Sequence, residues 1–488
     1  MEENELNKFG DMPVEEFRKF GHELIDWAAG YIQNIETYPV LSQVKPGDIK
    51  NKIPSSPPKN PGNMNDIITD FKEIIVPGIT HWNHPGFMAY FNSSASIPGI
   101  LAELLISTFN VNGMVWKTSP AATELEQVTL NWFRQMLGLG EYWWGIIYDC
   151  ASVTSMHAIA AARENINLNI REKGMGGRDD LSRLRLYTSE QAHSSIEKGA
   201  VTLGIGLEGV RKIPVDKEFS LIPAELERAI SEDKKNGWIP FCAAATIGTT
   251  SSTSIDPLSE IADICNKENI WLHVDAAHGG VAAMLPEKRD IFNGIEKADS
   301  LVVNPHKWMF TPLDLSVFFT KKPAILKKAF SLVHEYLKTR EDSAVENYMD
   351  YGVPLGRRFR SLKLWFIIRY FGAEGIRNRI REHIRIANHI ADKIDNHPLF
   401  ERMAPVPFST ICFRSHPTGI SDEKILEELN TNLMNKINET GKLFLSHTKL
   451  NNKFVIRMTI GSIRTSEIHV SNAWELIQNK LEEILDQK

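Results

Sequence analysis

The chain has 488 residues, more than one hydrophobic core commonly serves, so two or three domains are expected. Hydrophobic residues make up 42% and charged residues 24%, which excludes disordered and fibrous classes. The formal net charge of -6, with Lys and Arg scattered rather than striped, gives no electrostatic reason to expect nucleic acid or an anionic membrane as partner.

The first helix is expected after Asp11 and Pro13, with Glu15 and Glu16 where the helix dipole favours negative charge. Phe17, Phe20, Leu24, Trp27, Ala28, Tyr31 and Ile35 recur at helical spacing. Pro39 to Pro61 follows with six prolines, too many for a helix or a central strand. A lone amphipathic helix before such a linker either packs on a second subunit or folds back on its own chain. Four cysteines (Cys150, Cys242, Cys265 and Cys412) lie far apart without a CxxC, which fits a reducing compartment and suggests neither disulfides nor a metal site. The opening MEENELNKFG lacks the apolar core of a signal peptide, and no apolar run approaches the roughly 18 to 20 residues of a membrane helix, so a cytoplasmic protein is expected.

From about residue 97 to 330, apolar runs alternate with helical patterns: Arg185–Thr188, Phe241–Thr246, Ile270–Val274, Ser300–Val303 and Ser316–Thr320. This alternation predicts a largely parallel sheet of βα units, with ligand at the carboxyl ends of the strands. Helical patterns at Ser361–Tyr370 and Glu374–Asp395, a strand pair around Ser409–Phe413 and Phe454–Ile460, and a final helix predict a smaller α+β domain. The expected division is 1–96 for a helical arm and linker, 97–364 for the large domain and 365–488 for the small one.

Asp275 closes the run Trp271–Val274. A carboxylate there is either a cap or exposed strand end, or the partner of a protonated ring nitrogen in an electron-sink cofactor. Lys307, in Asn304-Pro305-His306-Lys307-Trp308, stands 32 positions later, one βα step away. It is either solvated, or desolvated enough to form a Schiff base. Ser152, before the Ala-rich stretch Val153 to Arg163, is either a plain N-cap or part of a phosphate site at a helix start. His193 is either structural or a ring facing a planar cofactor.

In this order the motifs resemble group II decarboxylases dependent on pyridoxal 5'-phosphate (PLP), most of all the aromatic-L-amino-acid decarboxylases. The matching stretches are Pro77–Tyr90, Trp116–Glu126, Ser189–Glu197, Trp271–Ala277 (WLHVDAA), Asn304–Trp308 (NPHKW) and Pro354–Trp365. They run from about Phe9 to the last helix. The resemblance implies an α/β protein of PLP-dependent fold type I, aspartate aminotransferase-like, with a mostly parallel seven-stranded sheet. It makes Lys307 the covalent cofactor lysine, Asp275 the partner of the pyridine nitrogen and His193 the stacked ring. It puts Ala151, Ser152, Asn304 and His306 at the phosphate and Thr250 near the ring. Trp82, Tyr90, Phe91 and Ser93 would line the substrate pocket, with Asn112 and Met114 entering from the other subunit of a homodimer. Gly356 would leave room for an indole, and Tyr336 would be the proton donor. The implied reaction is decarboxylation of an aromatic amino acid (tryptophan, 5-hydroxytryptophan, tyrosine or DOPA) to the amine. Alternatives are an aromatic aldehyde synthase, a decarboxylase of a non-aromatic amino acid, and a non-catalytic dimeric binding protein. Cys150, Val153, Asn92, Asn112 and Met114 depart from the usual family residues and bear on which side chain is accepted.

Overall fold

Helix α1 (Val14–Gln33) begins after Pro13 and carries Glu15 and Glu16 in its first turn. In the computed structural model, which describes residues 10–332 and 344–486, the apolar stripe of α1 is divided between two fates. Trp27 packs edge-on against Phe71 at 5.0 Å, and the Tyr31 hydroxyl bonds Nδ1 of His81 at 2.8 Å. Phe17 and Leu24 stay exposed. The prolines hold residues 39–61 out of regular structure apart from one 3-10 turn, Lys50–Lys52. Helices α2 (Ile97–Phe109) and α3 (Pro120–Met136) then lead into the large sheet, with Ser119 capping α3 through its side chain.

That sheet has seven strands: β1 (Trp144–Tyr148), β2 (Leu184–Ser189), β3 (Val210–Ile213), β4 (Ile239–Thr246), β5 (Trp271–Asp275), β6 (Ser300–Val303) and β7 (Ser316–Thr320). Their order is β1-β7-β6-β5-β4-β2-β3, and only β7 runs against its neighbours. The central strands β5, β6 and β7 are buried along their whole length, as strands covered on both faces must be. Helices lie on both sides. One face packs α3 and the helices Pro223–Lys235 and Leu258–Glu268; the other packs α4 (Ala151–Asn165) and the helix Ser195–Thr202.

The helical patterns at 361–370 and 374–395 form one long element, α5 (Ser361–Asp395), bent at Gly372. Gly372 sits at φ 64°, ψ 166°, a conformation that only glycine adopts readily. The bend turns the second half of α5 onto a four-stranded antiparallel sheet of order β10-β11-β9-β8, made of β8 (Phe400–Arg402), β9 (Thr410–Ser415), β10 (Ser446–Leu450) and β11 (Lys453–Thr459). Helices α6 (Glu423–Glu439) and α7 (Glu467–Leu485) complete the core of this unit.

Candidate active site

Strands β1, β2, β4, β5 and β6 point the same way, so the segments that follow them gather at one edge of the sheet. The first turn of α4 follows β1, His193 follows β2, Thr246 ends β4, Asp275 ends β5, and Asn304 to Lys307 follow β6. These segments line a single cavity of about 210 Å³. All eight residues expected to hold the cofactor line it: Ala151, Ser152, His193, Thr250, Asp275, Asn304, His306 and Lys307.

The cavity has a buried floor and an open rim. Asp275, Asn304, His306 and Thr246 are buried and Lys307 is partly buried, while Ser152, His193 and Thr250 are exposed. Asn304 and His306 are held by their neighbours. The Asn304 side-chain oxygen accepts from Ser316 Oγ at 2.6 Å, and His306 Nδ1 accepts from the Leu315 N–H at 2.9 Å. Burial pushes His306 down to about 3, so its ring is neutral and keeps its proton on Nε2. His193 takes the same tautomer, because the Ser195 N–H donates to its Nδ1 at 3.1 Å. Burial also lowers the Lys307 ammonium below the ordinary lysine range, against the opposing pull of Asp275 and Cys150.

Helix α4 begins at Cys150 without a side-chain cap, so free backbone N–H groups of its first turn border the cavity. With the Asn304 amide and the His306 ring, they make a donor cradle suited to a phosphate. Thr246 Oγ1, a buried polar atom in the same cavity, has no partner among the described residues. A lysine of lowered pKa, a carboxylate and a phosphate cradle within one cavity fit PLP.

Of the residues expected around a substrate, Phe91 lines this cavity. Trp82, Tyr90 and Ser93 are not among the residues lining it: Trp82 and Tyr90 are exposed and stack on each other at 6.1 Å, and Ser93 is partly buried in the same segment. The Asn92 amide is turned away, donating to the carbonyls of Trp82 at 3.0 Å and Phe87 at 3.4 Å. Asn112, Met114 and Gly356 form a separate cluster. Asn112 accepts from the Arg357 N–H at 2.9 Å, and its Nδ2 lies 3.6 Å from the Met114 sulfur. A Cβ on Gly356 would stand 3.7 Å from that same Nδ2. Tyr336 lies outside the described residues.

Two residues at the site escape a reading of motifs alone. Arg457 is buried in β11, and among the described residues its Nη2 has no partner and no carboxylate pairs with it. A charge inside the apolar run of β11 is the signal that could have found it. His278 lines the cavity from the loop after β5, where no spacing rule singles it out.

Comparison with known proteins agrees with this geometry. The family described as "Pyridoxal-dependent decarboxylase conserved domain" matches residues 46–416. The chain is 40% identical to tryptophan decarboxylase 2 of Oryza sativa subsp. japonica, across 97% of this chain and 96% of that one. It is 39% identical to a phenylacetaldehyde synthase of Arabidopsis thaliana, across 97% of each. The crystal structure of Oryza sativa TDC with PLP and tryptamine superposes with a TM-score of 0.93 at 33% identity, covering 98% of this chain and 99% of that one.

Proposed function

Because the chain belongs to the pyridoxal-dependent decarboxylase family, we propose that it converts an aromatic L-amino acid to the corresponding amine and carbon dioxide. The observation that carries this reading is the meeting of Lys307, Asp275 and the uncapped start of α4 in one cavity. The names of its relatives and the Phe91 ring in the cavity support an aromatic side chain.

Pyridoxal 5'-phosphate, when bound, supplies a conjugated ring that takes up the electron pair left by the departing carboxylate. Lys307 Nζ would anchor it covalently, while Ala151, Ser152, Asn304 and His306 would hold its phosphate. The Asp275 carboxylate would keep a proton on the ring nitrogen, and the His193 imidazole would cover one ring face, with Thr250 at the rim. Arg457, a buried cation without a carboxylate partner among the described residues, would receive the α-carboxylate of the substrate. Tyr336 Oη would deliver the proton that completes the amine.

The working unit in this reading is a homodimer. On α2, Ile97 (52%), Leu101 (46%), Leu104 (48%) and Phe109 (61%) are exposed, an apolar face that soluble monomers rarely carry. A groove of about 770 Å³ runs between this face and the first half of α5. A partner on it would bury the free side of α1 and bring its own Asn112 and Met114 to this site, where Ser93, Trp82 and Tyr90 would join them around the substrate. Gly356 would then leave room for a wide ring. The division at 96/97 and 364/365 belongs to the same proposal, as does a cytoplasmic location. Among the described residues no helix is long and apolar enough to cross a membrane.

Carbon dioxide and amine release, measured on the PLP-loaded protein across the twenty amino acids plus DOPA and 5-hydroxytryptophan, tests the reading. Equal yields of both products, fastest with an aromatic substrate, are expected. Fastest release from glutamate would overturn the aromatic assignment. The phenylacetaldehyde synthase relative supports a second reading, oxidative production of aldehyde, which an oxygen electrode separates from the first.

A further inference from the structure

His278 is sandwiched between two rings. It stacks on Phe91 at 3.8 Å with 11° between planes, and on Trp308 at 5.1 Å with 12°. It is buried, and among the described residues neither ring nitrogen has a hydrogen-bond partner. Buried polar atoms without partners are rare because each forfeits its hydration. His278 carries two on one side chain while lining the cavity that holds Lys307. Stacking alone does not explain a histidine here, since a phenyl ring would stack without that cost.

The surroundings indicate what the nitrogens meet. Lys307 Nζ lies 5.2 Å from the Phe91 ring centre and the Arg457 guanidinium 5.3 Å from it, so two cations flank the Phe91–His278 stack. Asp275 opposes the charge of Lys307, but among the described residues no carboxylate answers Arg457. Burial and both cations keep the imidazole neutral, with one N–H to donate. The corner thus offers positive potential and a neutral donor, and an aromatic amino acid brings one anion, its α-carboxylate.

We propose that His278 is a substrate-binding residue whose imidazole N–H, beside Arg457, holds the α-carboxylate of the amino acid. This rests on the reading of the substrate as an aromatic amino acid. It gives His278 a role in setting the direction of the bond that breaks, not merely in filling space.

His278→Phe keeps a ring between Phe91 and Trp308 and deletes both nitrogens. The PLP-loaded variant is assayed with tryptophan, tyrosine and phenylalanine, and inhibition by tryptamine, tyramine and phenethylamine, which lack the carboxylate, is measured beside it. For the best substrate, kcat/KM should fall about 10- to 100-fold, the range expected for losing a hydrogen bond to a charged group. The inhibition constant of the matching amine should stay within about twofold, and the melting temperature should not drop. His278→Gln, which restores a neutral donor, should retain more kcat/KM than His278→Phe. Equal weakening of amino acid and amine, equal loss in both variants, or no loss at all would overturn the assignment of His278 while leaving the decarboxylase reading intact. Wild-type protein that turns over none of these three amino acids, nor DOPA, nor 5-hydroxytryptophan, would overturn the aromatic reading and this proposal together.

Discussion

The Trp308 indole N–H donates to Nδ1 of His383 across 3.0 Å, and the two rings lie nearly parallel at 7°. This bond ties the residue after Lys307 to the second half of α5, so the lysine is held from the small antiparallel unit as well as from its own strand. Burial depresses His383 to about 4. Its role as acceptor therefore survives well below neutral pH.

The same burial makes stability depend on pH. The folded-state value of His383 lies below the roughly 6.5 of an unfolded histidine, so the unfolded chain takes up the proton first as pH falls. This contribution is fully present above about pH 6.5 and is lost between there and about pH 4, a total of about 3 kcal/mol. His306 and His273 act with the same sign. His383→Asn keeps an acceptor for Trp308 but does not titrate, so its melting temperature should fall less between pH 7 and pH 5 than that of wild type. An unchanged pH slope would show that His383 takes up no proton on unfolding.

A buried ion pair ties the edge strand to the segment that leads into α5. Glu126 accepts from the Ile147 N–H at 2.9 Å and from Arg357 Nη2 at 2.8 Å, and the same Nη2 reaches the Ile147 carbonyl at 2.9 Å. Glu126→Ala leaves Arg357 buried without its counter-charge, which costs about 3 to 5 kcal/mol. Denaturant melts should show a loss of that size, with a smaller one for Glu126→Gln. A change within experimental error would mean that the pair is solvated.

Which strands were legible in the sequence follows from their places in the sheets. The apolar runs at 185–188, 241–246, 270–274, 300–303 and 316–320 became β2, β4, β5, β6 and β7, and those at 409–413 and 454–460 became β9 and β11. The other strands, β1, β3, β8 and β10, are the four edges of the two sheets, although β1 (WGIIY) is itself an apolar run. Edge strands face solvent on one side, and the mixed pattern of β3 (VRKI) and β10 (SHTKL) shows it. The residues that line the cavity were legible as a group because they sit in short segments after strands. Arg457 and His278 owe their place to packing between distant segments, which no local spacing encodes.

Asp275→Asn should bind PLP more weakly and decarboxylate poorly. Asp275 is buried, accepts from the Ala277 N–H at 3.1 Å and stands beside Lys307. A neutral amide cannot hold a proton on the cofactor ring, and removing one partner of a buried charge pair costs roughly 3 to 5 kcal/mol. Cofactor dissociation followed by absorbance, alongside kcat, checks this. Values within a factor of a few of wild type would reduce Asp275 to a structural cap.

Tyr336→Phe should shift the products from amine toward aldehyde without stopping carbon dioxide release. The hydroxyl is the proposed proton donor, a role typically worth about 10²–10⁴-fold, whereas bond cleavage draws on Lys307, Asp275 and Arg457. With protonation slowed, molecular oxygen becomes the oxidant, yielding aldehyde, ammonia and peroxide. An oxygen electrode run beside an amine assay reads the change. Amine formed at the wild-type rate without oxygen uptake would leave Tyr336 as packing.

The assignment of Lys307 as the covalent anchor underlies every proposed role at this site. Borohydride reduction of the PLP-loaded protein, followed by proteolysis and mass spectrometry, tests it most directly. The pyridoxyl adduct should appear on the peptide containing Asn304-Pro305-His306-Lys307-Trp308, at Lys307 itself, and should vanish in Lys307→Ala. A stoichiometric adduct on any other lysine, or a Lys307→Ala protein that still turns over at the wild-type rate, would contradict the account.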